Sequence, residues 1–352
     1  MVGMEVGATT VRRSDASPTP IEAETAPLDL LHRVAVDEPF VRLDGDRPEL
    51  EPVAAVYAAV VEEALEGLAT SAEDPIALAV PGWWPPNARS RVARALEARG
   101  VVAVLVNDAE AAVAQATAEG VRLPSTVAVL SLRSMQTSVV VVRDCRTRPT
   151  ALLSPAPVLE EGGHLLDVAV LQHVLRGLDD LDEGIDREAP ALVAAARDAL
   201  TRCRAAREAL STSVAQSLHS EPFGTTRRIR LLRSELEELS SDWTDAVVGL
   251  VRTALEQTPD DVDTVLLTGG LASMPAVSQR LSADLGVEAI VPADPQRTAV
   301  HGAPLVLAAL LRDARVPRWQ RLARSVRTLG RAGARRDAGR RSSQDTTDSA
   351  QP

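Results

Sequence analysis

Lysine is absent from this 352-residue chain, and all 38 of its basic residues are arginine. Chemistry that turns on a lysine ammonium is therefore excluded. Aromatic residues make up only 2%, so a core has to be built from Ala, Val and Leu. Cysteine is scarce as well: Cys145 and Cys203 lie 58 positions apart with no metal-ligand spacing. That excludes a disulfide framework and fits a reducing compartment. No stretch reaches the roughly 18 apolar residues of a membrane span, and the N-terminus has no basic-then-apolar signal pattern. The expectation is a soluble, cytoplasmic body. His32, His164, His173, His219 and His301 show no pairing with Cys or Asp at ligand spacing. There is also no serine elbow, no Walker-type loop and no aromatic-interleaved basic patch. Nucleic acid is thus not an expected partner, and His301 reads as a core or interface residue.

The length allows one large two-lobed domain or two smaller ones, with ample residues to bury a core. Strand and helix patterns alternate along it. Val53–Leu68 is an Ala-rich amphipathic helix, Ile76–Val80 a buried strand, and Asn87 a candidate N-cap for a helix over Ala88–Arg99. Val101–Val106 predicts the next strand and Asp108–Glu119 the next helix. Further helices are expected over Asp167–Leu178, Ala189–Leu210, Ser234–Gln257, Met274–Leu285 and Thr298–Leu311. Strands are expected over Val262–Leu267 and Ala289–Val291. The fold class is α/β, with helix-covered sheets. Residues 14 to 52 are Pro- and acid-rich, with a weak apolar run over Leu28–Val36.

The stretch Val127–Val142 reads as a hairpin of two β-branched runs, Val127–Leu130 and Val139–Val142, joined by a loop from Ser131 to Ser138. Five segments in order give the chain its family resemblance. Gly3-Met4-Glu5-Val6-Gly7-Ala8-Thr9-Thr10 is similar to a first phosphate motif, G-I-D-L-G-T-T. Val80-Pro81-Gly82-Trp83-Trp84 and Asn107-Asp108-Ala109-Glu110-Ala111-Ala112 resemble V-P-A-Y-F and N-E-P-T-A-A. The hairpin loop stands where D-L-G-G-G-T-F-D is found. Gly162-Gly163-His164-Leu165-Leu166-Asp167 looks like G-G-E-D-F-D. Leu266-Leu267-Thr268-Gly269-Gly270-Leu271-Ala272-Ser273-Met274-Pro275 is close to the adenosine motif V-G-G-S-T-R-I-P. Together they resemble the nucleotide-binding domain of DnaK-type heat-shock chaperones over roughly residues 1 to 311.

That resemblance implies a two-lobed actin-like ATPase fold with duplicated ribonuclease-H-like sheets and a reduced first-lobe insertion. It places the first lobe in residues 1–124 and the second in 125–311, with a helical insertion at about 162–260 and a tail at 312–352. It also implies ATP or ADP as ligand with magnesium, held by Gly7, Thr9, Arg207, Ser211, Gly269 and Gly270, and Glu5 and Asp108 as the metal-side carboxylates. The departures are on the phosphate side. Ser131 and Ser138 replace two acids, and Arg133, Ser134 and Met135 stand where glycines would let backbone N–H groups approach a phosphate chain. Arg133 is expected to enter the phosphate region, plugging it or substituting for a cation. The lysine such ATPases place near the first lobe has no counterpart. Ser273 stands where an adenine-stacking arginine is expected, and Gln296 replaces an acid.

Each assignment has a plainer reading beside it. Glu5 and Asp108 serve equally well as solvated or capped loop acids. Gly269-Gly270 serves as a strand-to-helix turn. Arg204 reverses the charge of a ribose-binding acid and is well placed for an i,i+4 pair with Glu208. The expected ligand is therefore weakly held ATP or ADP, without firm magnesium.

From Arg315 to Pro352 the chain has 10 Arg and 3 Asp, a local charge of +7 that leaves −18 on the remainder. Trp319, Leu322, Val326 and Leu329 recur at helical spacing among Arg318, Arg321, Arg324 and Arg327. This pattern fits a solvated helix folding back on the body, or an interfacial helix over 317–329 on an anionic membrane surface. The reading that follows is a chaperone-like scaffold with a degenerate nucleotide site, an unidentified protein partner and little or no ATP hydrolysis. The alternative is an active ATP-dependent chaperone-like ATPase.

Overall fold

The computed structural model describes residues 1–8, 10–21, 29–44, 47–66, 75–152, 156–176, 190–219 and 228–313. The first part of the chain runs β1 (Gly3–Val6), β2 (Thr10–Arg13), β3 (Thr19–Pro20), α1 (Leu30–Val36), β4 (Phe40–Asp44), β5 (Arg47–Glu51), α2 (Val53–Leu65), β6 (Ile76–Val80), α3 (Pro86–Ala98), β7 (Ala103–Asn107) and α4 (Asp108–Ala118). The second continues with β8 (Val127–Leu132), β9 (Thr137–Arg143), β10 (Thr150–Ala151), β11 (Val158–Leu159), α5 (Gly163–Arg176), α6 (Pro190–Ala209), β12 (Ala215–His219) and β13 (Arg228–Leu232). It ends with α7 (Arg233–Leu239), α8 (Ser241–Glu256), β14 (Thr264–Thr268), α9 (Pro275–Leu285), β15 (Glu288–Ile290) and α10 (Thr298–Asp313).

Two large sheets share one topology. The first has the order β3-β2-β1-β6-β7, the second β10-β9-β8-β14-β15. In each, the first three strands in the chain are antiparallel neighbours, and the last two add in parallel to the other side of the first. The two inner parallel strands, β6 and β14, are buried throughout, which explains why Ile76–Val80 and Val265–Leu267 are continuous apolar runs rather than alternating ones.

The sheets are joined by two helices that cross closely. A Cβ at Gly302 of α10 would overlap the carbonyl oxygen of Ala111 on α4, so only glycine admits this approach. Although α10 follows the second sheet in sequence, it packs on the first one, where Ala299, Ala303 and Leu307 meet Ala77, Ala79 and Val106. The remaining core is Ala-, Val- and Leu-rich, as the shortage of aromatics requires. Its large rings include Trp83 and Trp243, and Trp84 and Tyr57 form an edge-to-face pair 5.3 Å apart. No helix among the described residues is long and apolar enough to cross a membrane.

Several boundaries differ from the sequence reading. The expected loop Ser131–Ser138 is shorter, because Ser131 pairs with Ser138 and Leu132 with Thr137, leaving a turn at Arg133–Gln136. Asn87 is not the N-cap of α3. Pro86 opens that helix, where its missing N–H costs nothing, and Asn87 Oδ1 accepts from the Ala88 N–H inside the first turn. The expected helix Ser234–Gln257 is broken at Ser240 into α7 and α8. The helix after Gly162-Gly163 begins at Gly163 rather than Asp167. Residues 14–52 hold α1 and the β4–β5 hairpin. The basic segment 317–329 lies outside the described residues.

Candidate functional site

Strand β1 is buried along its length, and Glu5 sits in its middle. A tight turn follows, closed by the Gly7 N–H donating to the Thr10 carbonyl at 2.8 Å, and β2 returns antiparallel so that Arg12 stands opposite Glu5. Asp108 opens α4. The Asn107 side chain caps that helix by accepting from the Ala109 N–H at 2.9 Å, and the Gly82 N–H donates to Asp108 Oδ1 at 2.8 Å. The turn of the β8–β9 hairpin brings Arg133 to the same point from the other sheet.

The three side chains form one ion triad. Arg133 Nη2 lies 2.6 Å from Glu5 Oε1 and 2.8 Å from Asp108 Oδ2. Side-chain exposure is 14% for Arg133, 6% for Glu5 and 2% for Asp108, so the contacts are shielded from water and are far stronger than surface pairs. Burial alone would lower the guanidinium's pKa, but the charges of Glu5 and Asp108 outweigh it and hold the group above its ordinary value. Arg133 is therefore a fixed cation between two carboxylates. The Tyr57 hydroxyl is buried with no hydrogen-bond partner. Burial, followed by the nearby Glu5 charge, pushes its pKa up.

Around the triad runs a narrow cleft with room for about 60 Å³, lined by residues of both sheets. It brings together Glu5, Gly7, Asp108, Arg133, Arg207, Gly269 and Gly270 from the sequence reading. Thr9 lies outside the described residues. Ser211 is not in the lining; it sits in the turn after α6, where its carbonyl accepts from Arg233. Arg207 lines the cleft but is already held by Asp167, its Nε donating to Asp167 Oδ1 at 2.7 Å. Arg204 pairs with Glu208 at 3.1 Å, the i,i+4 use noted from sequence.

The two adjacent glycines divide their roles. Gly269 has φ +92°, and a Cβ there would overlap the Leu132 carbonyl oxygen. Its N–H donates to the Pro295 carbonyl at 2.7 Å. The turn and the packing of β14 against the hairpin suffice to require glycine there. At Gly270 the nearest atom to such a Cβ is the Gln296 carboxamide, 3.8 Å away, so this position faces open cleft. Ser131, at the position of a missing acid, shares a hydroxyl hydrogen bond with Thr268 at 3.2 Å and ties β8 to β14.

Arg12, Leu31, Tyr57 and the Gly82 amide escaped the sequence reading. The first two line the cleft, the Gly82 amide holds Asp108, and the Glu5 charge acts on Tyr57. The antiparallel offset from Glu5 across a short turn was the available signal for Arg12. Among the described residues no group of His, Cys, Asp and Glu has the arrangement of a metal site. Burial pushes the thiols of Cys145 and Cys203 up to about 11, so neither is a nucleophile near neutral pH.

Comparison with known proteins agrees with this architecture. A family model described as Hsp70 protein matches residues 40–318. A chaperone protein HscA homolog of Variovorax paradoxus (strain S110) is 29% identical over 147 residues, 41% of this chain and 22% of that protein. A second, from Bordetella pertussis, is 33% identical over 153 residues, covering 41% of this chain and 23% of that protein. A third, from Bordetella petrii, is 28% identical over 184 residues, 46% of this chain and 30% of that protein. The matched region thus spans less than a third of the length of these relatives. With its duplicated sheets and the cleft between them, the chain belongs to the Hsp70 family and has the actin-like ATPase fold of that family's nucleotide-binding domain.

Proposed function

We propose that this chain is a catalytically silent member of its family, a binding or regulatory scaffold whose cleft no longer supports metal-dependent ATP hydrolysis. One observation carries the reading: Arg133 occupies both carboxylates, Glu5 and Asp108, that a magnesium ion would need. In metal-dependent phosphoryl transfer, a divalent cation held by Glu5 and Asp108 would supply charge stabilisation for the phosphate. Here the residues do not fit the metal. A hydrated magnesium ion would have to expel a buried guanidinium fixed by two short contacts. The chain also has no lysine to stand in for a lost phosphate contact.

Gly270 and the Gln296 side chain leave the nucleoside half of the cleft more open than the phosphate half. ATP and ADP are therefore proposed as weak, magnesium-independent ligands, with the main activity residing in an unidentified protein partner. The tail segment 317–329 is proposed as a separate attachment element for anionic membrane surfaces, on the strength of its Arg and Trp pattern. Calorimetric titration of ATP and ADP, with magnesium and with a chelator, tests the site. The reading predicts weak affinity that the metal leaves unchanged. A tenfold or larger gain on adding magnesium would favour an active ATP-dependent chaperone-like ATPase instead.

A further inference from the structure

Arg133 is anchored at both ends. On the second-sheet side its N–H donates to the Gln136 carbonyl at 3.0 Å and its carbonyl accepts from the Gly163 N–H at 3.0 Å. The next carbonyl, of Ser134, accepts from the His164 N–H at 2.8 Å. The turn is thus fastened to the start of α5. On the other side Glu5 lies inside a fully buried strand of the first sheet, and Asp108 is held by the Gly82 amide at 2.8 Å. The guanidinium therefore spans the cleft from the second sheet to the first. On α2, in the same lobe as Glu5, the Tyr57 hydroxyl is buried without a partner, and the charges of Glu5 and Arg133 act on it.

We propose that Arg133 is an inter-lobe latch that keeps the cleft closed with no ligand bound, and that the Tyr57 hydroxyl takes over Glu5 when the latch opens. This rests on the reading above that Arg133, not a metal, holds Glu5 and Asp108. A buried carboxylate released by its cation needs another donor, and an orphaned hydroxyl beside it supplies one. The pair of arrangements forms a two-state element: guanidinium on both carboxylates when closed, phenol on Glu5 when open. A weakly held nucleotide can shift the lobes only by its small differential affinity for the two states, and is therefore expected to leave the latch closed.

Amide hydrogen exchange and small-angle scattering on the full chain test the latch. Wild type is expected to show the same exchange over residues 3–8 and 131–136 with or without ADP or ATP and magnesium. Arg133→Gln is expected to exchange at least tenfold faster there, with a larger radius of gyration and unchanged far-ultraviolet dichroism. Should that variant misfold, the triple variant Arg133→Met, Glu5→Gln, Asp108→Asn decides, since it neutralises all three side chains and removes the latch without stranding a buried charge. Tyr57→Phe is expected to leave wild-type exchange unchanged but to lower the unfolding midpoint of Arg133→Gln further. Folded variants that exchange and scatter like wild type would overturn the latch, as would nucleotide-driven opening of wild type. Turnover by a wild type that stays closed would sink the catalytic reading alone and leave the latch standing.

Discussion

Arg133 Nη2 lies 2.6 Å from Glu5 Oε1, a buried contact that runs from the hairpin turn of one sheet to the first strand of the other. Glu5 stands in a segment that resembles a phosphate motif, and Arg133 supplies it with a cation. One arginine at a turn thus holds two acids distant in sequence.

Removing that guanidinium strands both carboxylates. Arg133→Ala is expected to destabilise the fold by about 3–5 kcal/mol, the range for breaking one side of a buried ion pair. Adding Glu5→Gln and Asp108→Asn to it should recover most of the loss, because no buried charge then remains unpaired. Urea unfolding of wild type and of both variants measures this. A loss below about 1 kcal/mol for Arg133→Ala would mean that the triad is as weak as a surface pair.

Gly269 and Gly270 should separate cleanly. Gly269→Ala forces a Cβ onto the Leu132 carbonyl at a positive φ and is expected to cost about 2 kcal/mol or more. Gly270→Ala meets nothing closer than the Gln296 side chain and should change stability by less than about 1 kcal/mol. Thermal unfolding of both variants is the check, and equal effects would contradict the division.

The adjacent glycines illustrate what the sequence could and could not reveal. The pair was legible as a strand-to-helix turn, but which one faces the cleft depends on Leu132 of a strand 137 positions away. Strand β6 was read with its bounds intact, because a doubly buried parallel strand is a continuous apolar run. The hairpins β4–β5 and β12–β13 were missed. Segments such as Arg47–Glu51 and Arg228–Leu232 hold a single β-branched residue between them, Ile229, and so lack the β-branched runs that mark β8 and β9. The break at Ser240 is invisible to periodicity, since the apolar spacing continues across it. Glu5, Asp108 and Arg133 were each named from the motif pattern, yet nothing in their spacing says that one nitrogen of Arg133 contacts both acids.

Glu110 gives a pH-dependent test. Its carboxylate accepts the Ala151 N–H at 2.9 Å, but burial outweighs that bond and the nearby arginines and raises its pKa. A raised carboxyl pKa means that the folded state holds its proton longer than the unfolded chain. The cost is absent at low pH, where both states are protonated. It develops as pH rises above the ordinary carboxyl value. Glu110→Gln should therefore raise the unfolding midpoint at pH 7 and leave it unchanged near pH 4. A gain of equal size at both values would point to packing rather than ionisation.

The tail is tested by attachment rather than by structure. Each arginine near an anionic bilayer contributes about 1 kcal/mol, and Trp319, Leu322, Val326 and Leu329 add apolar burial. The full chain should co-sediment with phosphatidylserine vesicles at low salt and be released at high salt, whereas a version ending at Asp313 should not bind. Equal partitioning of the two would leave the tail as an ordinary solvated extension.

Single-turnover ATP hydrolysis by the full chain, with magnesium and excess protein, tests the central claim most directly. With Glu5 and Asp108 both held by Arg133, the rate should not exceed that of ATP in buffer, and removing magnesium should not change it. Hydrolysis well above that background, dependent on magnesium and abolished by Glu5→Ala, would contradict the account.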